Sequence, residues 1–174
     1  MYKPIIFILI TMYFLTLTAC DQYKDFYKFE DECIKLFIPN NWQVHISKSD
    51  NKGFIFDAEK TNDSFQNRFS LRLITIPKPP GDDLDIIQKR FLDRDSDFKN
   101  LLVDNSIKTD YLGKGKLTVS QLQLEPSRLR RAYFFIKASY VILIDAEFPK
   151  ENRKEIEPTF DKIVNSIELY CPVL

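Results

Sequence analysis

Between Phe69 and Ile76, Phe69, Leu71 and Leu73 alternate with Ser70 and Arg72, the period-two pattern of a strand with one wet face. Pro77, Pro79 and Pro80 end it. From Asp82 onward the period changes. Leu84, Ile87, Phe91, Phe98 and Leu101 fall at spacings of three, four and seven, which predicts one helical stripe, with Asp82 or Asp83 capping its start. Upstream, Phe26, Tyr27 and Phe29 read as a short strand before the acidic turn Glu30-Asp31-Glu32. Cys33 to Ile38 reads as a second strand, stopped by Pro39-Asn40-Asn41, and Trp42 to Ile46 begins a third. Lys48 to Gly53 is a polar turn, and Gly53 to Ala58 is strand-like again.

Downstream, Asp104 to Leu112 and Lys114 to Leu124 read as a hairpin around Gly113-Lys114-Gly115, and Arg128 to Ile136 with Tyr140 to Phe148 as another. The run Tyr140-Val141-Ile142-Leu143-Ile144 has no alternation, as expected of a central strand covered on both faces. After Pro149, Ile156, Phe160, Ile163, Val164 and Ile167 share one helical face, with Pro158 expected in the first turn of that helix. Strands, one helix, more strands and one helix predict an α+β fold. Its sheet is mostly antiparallel and flanked by helices in a three-layer α/β/α sandwich.

The first residues follow a different pattern. Lys3 precedes an apolar stretch from Ile5 to Leu17, and small residues lead to Cys20. That is the layout of a secretory signal. The stretch is short of the roughly 20 apolar residues that a bilayer core requires. The run Leu17-Thr18-Ala19-Cys20 resembles the lipobox of bacterial lipoproteins. The resemblance implies cleavage between Ala19 and Cys20 and a diacylglyceryl thioether on Cys20. Each buried methylene contributes roughly 0.8 kcal/mol, so two or three acyl chains hold a protein that one holds only marginally. Asp21 resembles the inner-membrane retention signal of enterobacteria-like sorting. The expected organisation is a signal peptide over 1–19, lipid attachment and a short tether over 20–25, and one globular domain over 26–174.

Cys20 assigned to lipid leaves Cys33 and Cys171 as an even pair in an exported chain, which favours a disulfide between them; two buried free thiols are the alternative. Closing so long a loop stabilises by about 5 kcal/mol in the chain-entropy model. Lys plus Arg and Asp plus Glu each number 25, so no basic excess exists to displace counterions from phosphates, and nucleic acid is not an expected partner.

Three segments resemble the PsbP-like superfamily: Phe37-Ile38-Pro39-Asn40-Asn41-Trp42, the strand from Tyr140 to Phe148, and Phe160-Asp161-Lys162-Ile163-Val164-Asn165-Ser166-Ile167. That group includes the photosystem II extrinsic subunit, a Ran-binding nuclear transport factor and bacterial lipoproteins of the DcrB type. Ser139 stands where many members place a glycine. The resemblance implies a generally non-catalytic domain that works by binding other proteins.

Reactive chemistry is thinly supplied. His45 is the single histidine, which makes triads and histidine-rich metal sites hard to assemble, and it reads as a surface residue. Gly113-Lys114-Gly115-Lys116 lacks the spacing and the Ser/Thr of a phosphate loop. Asp93-Arg94-Asp95-Ser96-Asp97 opens like a calcium loop but has Phe98 and Asp104 where glycine and glutamate belong. No metal and no cofactor are expected. Arg128, Arg130 and Arg131 form a basic cluster, with Arg128 and Arg130 on one strand face. It reads either as a patch for an acidic partner or phospholipid head groups, or as a solvated edge or ion-pair face.

The expected function is a membrane-anchored, non-enzymatic envelope lipoprotein, facing the periplasm from the inner membrane, that binds a protein partner in envelope maintenance. Alternatives are immunity against a periplasm-delivered toxin, a carboxylate-based envelope hydrolase and a small-ligand carrier.

Overall fold

A computed structural model of the chain describes residues 23–49, 53–60, 69–94 and 98–170. Cys20, Cys171, the expected signal peptide and Asp95-Ser96-Asp97 of the calcium-like run lie outside these residues. Among the described residues ten strands and two helices follow in the order β1 (Phe26–Glu30), β2 (Ile34–Pro39), β3 (Gln43–Ser49), β4 (Gly53–Lys60), β5 (Phe69–Pro77), α1 (Leu84–Arg94), β6 (Phe98–Thr109), β7 (Gly113–Leu122), β8 (Arg128–Lys137), β9 (Tyr140–Pro149), α2 (Arg153–Asn165) and β10 (Glu168–Leu169). Seven strands form one antiparallel sheet in the order β3-β4-β5-β9-β8-β7-β6, and β1, β2 and β10 form a second.

The alternation along each strand divides the large sheet into two unlike faces. Phe56, Leu71, Leu73, Ile144, Phe148, Tyr133 and Leu117 point to one face, which carries the main apolar core. The small sheet closes it with Ile34, Leu36 and Ile38 of β2, and α2 adds Ile156, Phe160, Ile163 and Val164, the stripe expected from spacing. Phe160 joins the layers: its ring lies 5.8 Å from Trp42 and 5.4 Å from Phe148. On the opposite face α1 covers β7 and β8, where Phe91 meets Phe134 edge-on at 5.1 Å and Gln88 Nε2 donates to Thr118 Oγ1 at 2.7 Å.

Several expectations are corrected. The predicted helical stripe stops at Arg94, and Phe98 belongs to β6. Phe98, Leu101, Leu102 and Val103 suit a strand as well as a helix, and pairing with β7 decides between them. Pro158 sits inside α2, because the helix begins at Arg153 after a 3₁₀ turn over Lys150–Asn152. Asp83 caps α1, its Oδ1 accepting from Ile86 N–H at 2.9 Å, whereas Asp82 is buried and pairs with Arg90. The β6–β7 turn is Asp110-Tyr111-Leu112. It places Gly113 at φ 81, the left-handed position that a three-residue hairpin loop requires.

Candidate functional site

The half of the outer face that α1 leaves uncovered carries a concavity of about 460 Å³ over β3, β4, β5 and β9. Its walls follow from register. Strand pairing lines up His45, Asp57, Arg72 and Asp145 in one transverse row, and Glu59, Ser70, Glu147 and Arg130 in the next. These side chains alternate with neighbours that pack into the core, so burying Phe56, Ala58, Leu71 and Ala146 turns the charges outward.

The charges hold one another. Arg72 Nε lies 2.6 Å from Asp57 Oδ1, and this hydrogen bond is the main reason the guanidinium is held above its ordinary value. Arg130 Nε lies 2.6 Å from Asp145 Oδ1, and its Nη2 contacts Oδ2. Its guanidinium also sits 4.6 Å over the Phe91 ring, tying the site to α1. Arg128 approaches Glu147 at 4.0 Å. Burial, then the neighbouring Asp145, raise the Glu147 carboxyl above its usual range, against the lowering effect of Arg130, Arg128 and Arg72.

Each of the three arginines is therefore engaged by carboxylates. Arg128, Arg130 and Arg131 are 2 %, 8 % and 6 % exposed, so they form no solvent-facing basic patch. Arg128 and Arg130 do share a face, as alternation requires. Arg131 points the other way, to Asp161 of α2, with Nη2 2.8 Å from Oδ1, and Tyr133 donates to the same oxygen at 3.0 Å. Burial drives the Tyr133 phenol well above its ordinary value.

The remaining candidates separate. His45 is exposed on β3, at the rim of the charged concavity. Lys116 pairs with Asp85 of α1 at 2.7 Å instead of closing a phosphate loop. Cys33 borders β2, and Tyr170 N–H donates to its carbonyl at 2.9 Å. Among the described residues no cluster of three His, Cys, Asp or Glu could hold a metal ion. No helix among them is long and apolar enough to cross a membrane.

Sequence reasoning left Asp57, Glu59, Asp145 and Glu147 unassigned. Asp145 and Glu147 alternate with Ala146 and Phe148, a period-two signal in the second half of β9 that the unbroken run before it obscures. A second concavity, about 320 Å³, lies between α1 and the sheet, lined mainly by Ile76, Ile87, Phe91, Phe134 and Leu143, with Arg90 and Arg94 at its rim.

Solved structures share this architecture. The solution structure of cyanobacterial PsbP (CyanoP) from Synechocystis sp. PCC 6803 superposes with a TM-score of 0.57 at 14% identity, covering 84% of this chain and 93% of that one. The fold is PsbP-like. LpqN of Mycobacterium tuberculosis, described as involved in cell envelope biogenesis, matches this PsbP-like domain with a TM-score of 0.56 at 9% identity, over 87% of this chain and 96% of the other. PA94 of Pseudomonas aeruginosa, a protein of unknown function described as a putative regulator, gives 0.54 at 14% identity, over 80% and 94%. No sequence-family model matches the chain, and neither does any curated protein.

Proposed function

We propose that the chain is a lipid-anchored, non-catalytic protein of the bacterial cell envelope, held at the inner membrane through Cys20, and that its PsbP-like domain binds a protein partner through the charged face of β3, β4, β5 and β9. The observation that carries the binding role is the concavity itself. Ligand pockets of such a volume are usually apolar with a few polar groups. This one is walled by four carboxylates, Asp57, Glu59, Asp145 and Glu147, around the single guanidinium of Arg72, a surface that selects partners by charge pattern. The likeness to LpqN supports the envelope setting.

Affinity capture from solubilised membranes tests the role. The wild-type chain retains a partner that Arg72→Glu loses, because reversing Arg72 sets it against Asp57 and Asp145. Equal retention by both contradicts the assignment. The register also supports a Cys33–Cys171 disulfide, since β10 brings Tyr170 beside Cys33. Peptide mapping without reduction joins the two cysteine peptides if the bridge forms and separates them if it does not.

A second reading, carriage of a small apolar ligand, rests on the cleft beside α1. Displacement of a fluorescent fatty acid that is weakened by Ile76→Glu favours it. Absence of any binding removes it.

A further inference from the structure

The outward face of the small sheet carries a half-buried aromatic surface, of which Phe26 also packs against the core. Ile34, Leu36 and Ile38 of β2 point into the core, so Lys35 and Phe37 face outward, and Tyr23 stacks on Phe37 at 4.3 Å. Phe26 meets Tyr23 edge-on at 5.7 Å. Beside them Lys35 Nζ binds Glu168 Oε1 at 2.5 Å, and Tyr170 donates to Oε2 of the same carboxylate at 3.2 Å. Tyr111, from the β6–β7 turn, lies close enough to act on the same carboxylate. Tyr111 and Tyr170 are nevertheless 50 % and 49 % exposed, two of the five large hydrophobic side chains open to solvent among the described residues.

Only Asp21 and Gln22 separate Cys20 from Tyr23. Three residue steps span at most about 11 Å, so a lipid on Cys20 holds this surface within reach of the head groups. Tyrosine rings with an apolar body and a polar tip settle in that layer. The Lys35–Glu168 pair leaves no excess charge at the centre of the patch, so the contact does not require anionic lipid.

We infer that Tyr23, Phe26, Phe37, Tyr111 and Tyr170 form a membrane-facing surface that lies against the lipid head groups. This rests on the Cys20 reading and extends it. The core and the large sheet separate this surface from the charged concavity, so docking turns the concavity away from the bilayer, toward partners.

The test uses the full lipidated chain reconstituted into phosphatidylcholine vesicles, with an environment-sensitive nitrobenzoxadiazole label on Tyr111→Cys and, separately, on Lys89→Cys of α1. Tyr170→Cys serves as a second reporter should Tyr111→Cys not fold. Flotation with the vesicles is read first: a chain that does not float contradicts the anchor and this inference together. In a floating chain the inference predicts a blue-shifted emission at position 111 or 170 and none at 89, unchanged by high salt. A shift at 89, at both faces or at neither overturns the orientation while leaving the anchor standing.

Discussion

Arg130 of β8 holds Asp145 of β9 through two nitrogens, reaching diagonally past Glu147, the residue directly opposite it. Both partners are largely buried, and the guanidinium also covers Phe91 of α1. Removing one half of such a pair strands the other charge. Asp145→Asn is expected to destabilise the fold by about 3 kcal/mol, roughly 10 °C in thermal midpoint. Arg130→Lys is expected to cost a comparable amount, since lysine supplies neither the two-pronged contact nor the planar face. Thermal melts check both, and unchanged midpoints would contradict the pairing.

Phe160 holds the two sheets together, so its loss is felt in both. Phe160→Ala is expected to cost about 3–5 kcal/mol. Trp42 is the only tryptophan and packs on that ring, so its emission should shift to the red in the folded variant. Denaturation followed by fluorescence measures both effects.

Glu147 makes the stability depend on pH in a definite direction. Its carboxyl is raised by burial in the fold, so the native state keeps a proton that the unfolded chain has already lost. Stability therefore falls as pH rises from the ordinary carboxylate value through the raised one. Glu147→Gln is expected to flatten that fall, with the two melting curves converging at acid pH. Parallel pH profiles for both proteins would refute it.

Gly115 is fixed by contact. A Cβ there would lie 2.5 Å from Phe135 Cε1 and 2.7 Å from the Phe134 carbonyl oxygen. Gly115→Ala is expected to cost about 1–3 kcal/mol in a denaturant titration. An unchanged midpoint would show that the β7–β8 pairing is looser than described.

Much of this architecture could be read from the chain. The alternation in β5 and the 3.6-residue stripe of α2 report burial directly, because one face of each is dry. The end of α1 was not legible, since Phe98 satisfies both periods and only its pairing with β7 selects the strand. The separate small sheet depends on β10 returning to β2 from far along the chain, which no local pattern encodes. The charged concavity was half visible. Arg72 and Arg130 stand out as wet-face residues, but placing Asp57 beside one and Asp145 beside the other requires strand order and register.

Mass analysis of the intact protein extracted from membranes tests the tethering of this domain most directly. The account predicts a chain that begins at Cys20 and carries a diacylglyceryl group on its sulfur. A chain that retains Met1, with an unmodified Cys20, in the soluble fraction would contradict it.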